Sequence, residues 1–147
     1  MSKGVSVVDA NVLLYAVDRS APWHAEARVW LDRALSGSGT VVFPWLCLLA
    51  FLRISTHSGI FQNPLRTEQA LDVIEAWLSR PNAVVPGPGR AHLDSLRSLL
   101  AETGSGGNLV NDAHIAAIAR DADAVVVTFD ADFGRFPGVR WQRPERP

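Results

Sequence analysis

The chain has 147 residues, of which 48% are hydrophobic and 20% are charged, and its formal net charge at pH 7 is −1. This length suits one domain with one hydrophobic core, and the composition is that of an ordinary globular protein, which excludes a disordered chain. The near-neutral charge excludes a global basic field for nucleic acid, but it leaves room for a local arginine patch. We expect a single domain over residues 1–147, with a tail that frays from about residue 143.

Short valine-rich runs alternate along the chain with longer segments that have helical periodicity. The valine-rich runs predict strands, and the periodic segments predict helices. The predicted strands cover residues 5–8, 40–43, 83–85, 124–128 and 139–141. The predicted helices cover residues 12–17, 22–35, 45–56, 67–78, 92–103 and 108–120. This alternation predicts an α/β fold, with a mostly parallel central sheet flanked by helices on both faces.

Cysteine usage and the N-terminal residues indicate the compartment. Cys47 is the only cysteine and lies in an apolar run, so it is predicted to be a small core residue, and a disulfide within the chain is excluded. The first residues, MSKGVSVVDA, lack the apolar segment of a signal peptide. No apolar stretch reaches the roughly 18 residues that a membrane helix needs. These features predict a cytoplasmic protein that does not enter a membrane.

Three aspartates lie where predicted elements meet. Asp9 follows the first strand, Asp130 follows a later valine-rich strand, and Asp112 lies in the first turns of an apolar helix. Each has a simpler interpretation: Asp9 as a helix cap, Asp112 as an acid favoured by the helix dipole, and Asp130 as a turn residue. Together they are harder to explain in this way, because parallel strands end at the same edge of a sheet, where open α/β sheets bind ligands.

A cluster of carboxylates has a definite chemistry. Crowded carboxylates repel one another, and their pKa values rise unless a cation binds among them. Hard oxygen ligands, without cysteine and with few histidines, favour Mg²⁺ or Mn²⁺ over zinc. Phosphodiester cleavage often uses such a site, because one or two metal ions generate the attacking hydroxide and neutralise charge on the phosphate. The residues by themselves therefore predict an acidic, metal-binding site at one edge of the sheet.

An ordered set of four segments carries a family resemblance. The segments VVDANVLLYA, FLRISTHSGIF, NDAHIAAIA and TFDADFGRFPGVRW together resemble the PIN domain, and specifically the VapC-type toxins of bacterial toxin–antitoxin pairs. The resemblance runs from about residue 5 to residue 142. It implies a three-layer α/β/α domain, usually a homodimer, that cleaves RNA such as tRNA or rRNA with Mg²⁺ or Mn²⁺. It also implies neutralisation by a small VapB-like antitoxin encoded beside the toxin.

The same resemblance implies which residues form the site. Asp9, Asp112 and Asp130 match the metal-binding and catalytic acids, and Asp132 is a neighbour with a weaker claim. The family usually has a glutamate just before Phe-Leu-Arg, where this chain has Ala50. The chain therefore has three clear acids in place of four. Either its metal affinity is lower, or another group such as Asp132 substitutes, or the nuclease is weak or inactive.

Other residues are expected to support or border the site. Asn11 and Thr128 match the polar residues that hold the acids in place through hydrogen bonds. Arg53 is the one charge on the third predicted helix. A structural ion pair is its favoured role, and contacts with substrate phosphate or with the antitoxin are the alternatives. That helix is apolar nearly all round, so it is expected to be buried together with Trp45. Trp23 follows a proline in a loop, where it is expected to be exposed and able to stack on an RNA base.

Two other classes of protein stay open on the sequence alone. One is a PIN-fold protein that binds RNA or antitoxin without cutting, since Ala50 has removed one acid. The other is a phosphatase or a phospho-accepting receiver, but these need a nucleophilic aspartate with a well-placed lysine, and Lys3 is the only lysine. His114 follows Asp112 by two residues, which on a helix turns it about 200° away, so a structural role is predicted for it.

Overall fold

The computed structural model describes residues 4–145, which form five strands and six α-helices. The strands are β1 (Val5–Val8), β2 (Thr40–Val42), β3 (Ala83–Val84), β4 (Val125–Val127) and β5 (Arg140–Gln142). The helices are α1 (Ala10–Val17), α2 (His24–Ser36), α3 (Trp45–Ser55), α4 (Thr67–Leu78), α5 (His92–Thr103) and α6 (Leu109–Asp121). A 3₁₀ turn, Ala131–Arg135, joins β4 to β5. Every predicted strand and helix is present, with ends that differ by at most two residues.

The strands form one sheet in the order β3-β2-β1-β4-β5, and each neighbouring pair is parallel. The chain builds outward from β1 to β3, then returns to the centre and builds in the opposite direction from β4. The direction reverses between β1 and β4, which is the position where open α/β sheets bind ligands. With the helices on its two faces, the sheet forms a three-layer α/β/α domain, and the predicted fold class is confirmed.

Close packing of α6 against the centre of the sheet positions the site. The alanines Ala113, Ala116 and Ala117 of α6 are fully buried. This helix contacts both β1 and β4, the two central strands. Because alanine has no side chain beyond Cβ, the helix backbone approaches the sheet closely. The first turn of α6, which carries Asp112, therefore comes near the carboxyl ends of β1 and β4.

Helix α3 is buried on one face only. Its inner side chains, Cys47, Leu48 and Phe51, are fully buried, whereas 53% of Trp45 and 56% of Leu49 is exposed. The prediction that this helix and its tryptophan are buried was therefore wrong for the outer face. The physical reason is that a continuous apolar run does not distinguish a helix packed on both sides from one that leaves an apolar face uncovered.

The loops and the C-terminal residues follow the local sequence. Gly104 and Gly107 have positive φ angles of 78° and 57°, which glycine adopts without steric cost, so the GSGG run ends α5 and turns the chain into α6. Arg143 begins the tail that is expected to fray, and its guanidinium stacks on Trp23. The end of that tail, residues 146 and 147, lies outside the described residues. Among the helices described, none is long and apolar enough to cross a membrane.

Candidate metal centre

Asp9 is held at the end of β1 by several hydrogen bonds. Its backbone N–H donates to the Val127 carbonyl at 3.0 Å, which ties it to the neighbouring strand. Its Oδ1 accepts the Ala10 N–H at 2.7 Å, and its Oδ2 accepts the Thr128 hydroxyl at 2.8 Å. Asp9 is thus the N-cap of α1, as its simpler interpretation predicts. A carboxylate has about four acceptor positions, so this cap leaves lone pairs for a further ligand.

Thr128 is the centre of a polar network between β1 and β4. It is fully buried, and its hydroxyl donates to Asp9 while it accepts the Asn11 amide at 3.2 Å and the Asp130 N–H at 3.0 Å. The Asn11 carbonyl oxygen in turn accepts the Phe129 N–H at 3.2 Å. Asn11 and Thr128 therefore lie beside the acids, as the sequence predicts. Their bonds restrict the rotation of the Asp9 carboxylate.

An acidic cleft of about 300 Å³ opens beside this network. Its walls come from the β1–α1 junction, from α3 and from the start of α6, and they include Asp9, Cys47, Ala50, Arg53, Asn111 and Asp112. The structure thus brings together Asp9 and Asp112, which are far apart in sequence. It also places in the cleft Ala50, the residue that stands where the family usually has a glutamate.

Asp130 and Asp132 lie to one side of the acidic cleft and do not line it. The Asp130 carboxylate caps the 3₁₀ turn by accepting the Asp132 N–H at 2.9 Å, so its turn role is real. The Asp132 carboxylate lies 3.7 Å from the guanidinium of Arg135, and both side chains are largely exposed. Asp132 therefore has a cation of its own, whereas Asp130 is joined to Asp9 through the Thr128 hydroxyl.

The acids influence one another electrostatically. Burial raises the pKa of Asp9 above its usual range, although hydrogen bonds from Thr128 and Ala10 lower it in part, and the charge of Asp130 raises it further. Burial also raises the pKa of Asp112 to about 7, with added repulsion from Asp9 and from Asp130. Excess negative charge in a partly buried site is the condition that a bound cation relieves.

The donor set fits a hard divalent cation. Within residues 4–145, no three His, Cys, Asp or Glu side chains converge as a ready-made set of metal ligands. Mg²⁺ does not need such a cage, because it binds through one or two carboxylates and fills its other positions with water and phosphate oxygens. The carboxylates of Asp9 and Asp112, which line the same cleft, match that requirement.

Two cleft residues escaped the sequence analysis. Cys47 is buried, as predicted, but its Sγ also lies 4.0 Å from Asp9 Oδ1. Burial, and then the charge of Asp9, raise the pKa of the Cys47 thiol, so it stays protonated and can donate. Nothing in its apolar run signals this position. Asn111 has a weak signal, since it is a polar residue that directly precedes Asp112 on an otherwise apolar helix.

The sequence favours a structural role for both Arg53 and His114. Arg53 lines the acidic cleft and is exposed, and in the part of the chain that the structure describes it forms no salt bridge. The favoured expectation of an ion pair was therefore wrong, and the alternative of a phosphate contact stays a prediction.

His114 lies between α5 and α6, where its Nδ1 is 2.9 Å from His92 Nε2. Its ring does not line the cleft, which agrees with the structural role predicted for it.

Comparison with known proteins identifies the family. Residues 6–139 match the model of the PIN domain. The chain is 49% identical over 140 residues to ribonuclease VapC37 of Mycobacterium tuberculosis, which covers 95% of this chain and 97% of that protein. It is 39% identical over 138 residues to ribonuclease VapC31 of the same bacterium, covering 94% and 97%. Its fold is similar to that of a chain in the crystal structure of VapBC2 from Rickettsia felis bound to a promoter DNA fragment, with a TM-score of 0.70, 19% identity and coverage of 96% and 99%. The chain therefore belongs to the PIN-domain family and, within it, to the VapC group that the four sequence segments indicate.

Proposed function

We propose that this protein is the toxin of a type II toxin–antitoxin pair and that it acts as an endoribonuclease dependent on Mg²⁺ or Mn²⁺. The observation that carries the proposal is the acidic cleft beside the β1–α1 junction, which Asp9 and Asp112 both line and where both have raised pKa values. Membership of the VapC group supports the choice of RNA as the substrate. In the family this substrate is tRNA or rRNA.

Asp9, Asp112 and Asp130 would hold the divalent ion, and Asp132 has a weaker claim because Arg135 already neutralises it. When bound, the ion would lower the pKa of a water molecule and would neutralise charge on the scissile phosphate. Thr128 and the start of α1 fix the Asp9 carboxylate before substrate arrives.

Two further cleft residues have roles in this proposal. Arg53, at the exposed rim, offers a planar guanidinium to a phosphate next to the one that is cleaved. Cys47 donates its thiol proton toward Asp9 and is a poor nucleophile, because burial keeps it protonated. The protein thus contributes positioning and electrostatics, and a covalent enzyme intermediate has no role.

The test is the substitution Asp9→Asn, which keeps the shape of the side chain and removes its charge. We expect Mg²⁺-dependent cleavage of RNA by the purified protein to fall by about 100- to 1,000-fold, the loss typical of one electrostatic group in an active site. Asp72→Asn is the matched control, because Asp72 is an exposed aspartate on α4 away from the cleft. Undiminished cleavage by Asp9→Asn would contradict the proposal.

A second candidate function is binding without cleavage. It is favoured by Ala50, which lines the acidic cleft at a position where the family usually has a glutamate. In that case the protein would act by holding RNA or its antitoxin. Incubation of total RNA with the protein in Mg²⁺ and in EDTA separates the two functions. Cleavage in Mg²⁺ alone supports the nuclease, whereas intact RNA that still binds the protein supports the second candidate.

The proposal also names partners and context. A VapB-like antitoxin is supported by the similar fold of a chain in the VapBC2 complex, and a homodimer is expected from the family. The exposed Trp45 and Leu49 on α3 supply apolar surface for a protein partner. We take residues 1–147 to be a single PIN-like domain that acts on RNA in the cytoplasm. Light scattering of the protein alone and with the product of a neighbouring short gene would test both assemblies.

A further inference from the structure

A second cleft, of about 330 Å³, borders the polar network at Phe129. We call it the aromatic cleft, and it is lined by Trp23, Glu26, Phe129, Arg143 and Pro144. Phe129 joins the two regions, because it lies between Thr128 and Asp130 in sequence and its N–H donates to Asn11. Phe129, which lines the aromatic cleft, is therefore adjacent in sequence to Thr128 and Asp130 of the polar network.

The rings of the aromatic cleft are stacked before any ligand binds. Trp23 and Phe129 are nearly parallel, at 19°, with ring centroids 5.4 Å apart. Tyr15 packs against both rings, at 5.7 Å and 5.3 Å. Trp23 nevertheless keeps 39% of its surface exposed, which is unusual for so large an apolar side chain. The result is a preformed aromatic platform, part of which stays open to solvent.

Two charged side chains border this platform. The guanidinium carbon of Arg143 lies 5.0 Å from the centroid of Trp23 and 5.2 Å from that of Phe129. Glu26 is half-buried, and within residues 4–145 its side chain forms no hydrogen bond or salt bridge. A carboxylate only accepts hydrogen bonds, so the solvent-accessible oxygens of Glu26 can take donors from a ligand. The aromatic cleft therefore offers a stacking surface, a cation and a free hydrogen-bond acceptor.

We propose that the aromatic cleft binds one unstacked nucleobase of the RNA and that it prefers guanine. RNA-binding proteins recognise splayed bases by stacking them on aromatic rings or on arginine, and by hydrogen bonds to the Watson–Crick edge. The Watson–Crick edge of guanine presents two adjacent donors, N1–H and N2–H, which match the two oxygens of Glu26. The other bases present only one donor there. Arg143 contacts the base face or its phosphate.

This inference rests on the proposed ribonuclease function, whose substrate it describes in more detail. A base held on Trp23 and Phe129 anchors the strand beside Asp130. A neighbouring phosphate of the same strand then lies at the acidic cleft. The aromatic cleft thus selects the position at which the chain is cut, while the acids carry out the cleavage.

Equilibrium binding in EDTA tests the inference without any cleavage. The probes are two fluorescent single-stranded oligoribonucleotides of uridine, one with a central guanosine and the other with a central adenosine. We expect Trp23→Leu to weaken binding of the guanosine probe by about 5- to 100-fold, the range for loss of one base–aromatic stack. Leu71→Ala is the control, because Leu71 is also an exposed apolar residue but lies outside both clefts.

Two milder substitutions keep the test decisive if Trp23→Leu fails to fold. Glu26→Gln should remove the preference for guanosine over adenosine while binding persists. Arg143→Gln should weaken both probes, and a lost phosphate contact should lower the slope of log K against log salt by about one. Both side chains meet solvent, so neither change should disturb folding.

The outcomes distinguish this inference from the proposed function. Wild-type affinity and guanosine preference in all three folded variants would overturn it, as would a wild-type protein that binds neither probe. Weakened binding in Trp23→Leu combined with full cleavage by Asp9→Asn would preserve the aromatic cleft and remove the proposed catalytic acids. Loss of cleavage in Asp9→Asn with unchanged binding in Trp23→Leu would do the reverse.

Discussion

Asp9 serves the local structure and the candidate site with the same carboxylate. One oxygen caps α1, and the other accepts the Thr128 hydroxyl. These bonds favour the charged form, yet burial still raises the pKa of Asp9, so the side chain is held in an unfavourable environment. Such a group is expensive in a purely structural position. A bound cation would offset the cost, which is why the capping role and the metal-binding role support each other.

At the same scale, Ala50 is the position where a substitution should increase the affinity of the site for metal. We expect Ala50→Glu to raise the affinity for Mn²⁺, because a fourth carboxylate would enter the cleft that already holds Asp9 and Asp112. The gain should be about 10-fold, which is the lower end of what single supporting groups contribute at metal sites. Calorimetric titration with Mn²⁺ measures it. Ala76→Glu, at an exposed position on α4, is the matched control, and equal affinities in the two variants would contradict this placement of Ala50.

At the scale of elements, Asn82 connects α2 to the edge of the sheet. Its side-chain amide donates to the carbonyls of Ala34 at 2.9 Å and Gly39 at 2.7 Å, near the end of α2 and in the turn that follows. The backbone carbonyl of Asn82 accepts the Val41 N–H at 2.9 Å. The Ala34 carbonyl also accepts the Gly37 N–H at 3.3 Å, so the Asn82 side chain adds a second hydrogen bond there and one more at Gly39.

We therefore expect Asn82→Ala to lower the free energy of unfolding by about 1–3 kcal/mol, the cost of losing its hydrogen bonds to partly buried carbonyls. Urea denaturation followed by circular dichroism measures the change, and the m-value should stay the same. Asn63→Ala is the control, because Asn63 is exposed in the loop before α4. An equal effect of the two substitutions would show that the bonds of Asn82 contribute little.

At the scale of the whole molecule, the acidic cleft makes stability depend on pH and on metal. The pKa of Asp112 is about 7 in the folded protein and 3.8 in the reference state. Between these values the folded state binds more protons than the unfolded state, so the stability of the metal-free protein falls as pH rises. In the proposed function a divalent cation would bind the charged carboxylate, so its stabilising effect would be largest above pH 7.

The corresponding prediction concerns thermal unfolding in EDTA. We expect the melting temperature in EDTA to be a few degrees higher at pH 5.5 than at pH 8. Replacing EDTA with Mn²⁺ at pH 8 should raise the melting temperature again. The effect stays small because Asp112 is only half-buried and solvent screens its charge. Asp112→Asn should reduce this pH dependence and the response to Mn²⁺. A variant with the wild-type dependence on both would exclude Asp112 as the responsible group.

The sequence by itself determined the fold class, the order of the elements, and the candidate acids Asp9, Asp112 and Asp130. These features depend on local patterns, such as valine runs, helical periodicity and a polar residue at the end of a strand. The role of Asp9 as a cap is local in the same sense. The combination of four segments then indicated the family, although no single segment is specific.

Only the tertiary structure decided which side chains share a cleft and which faces are covered. It placed Cys47 and Arg53 beside Asp9, left Asp130 to one side, exposed Trp45, and stacked Arg143 on Trp23. None of these contacts follows from local preference, because each joins segments that are distant in sequence or depends on what packs against a helix. The order β3-β2-β1-β4-β5 is the underlying cause, since it puts β1 beside β4 and so brings the two ends of the chain to one site.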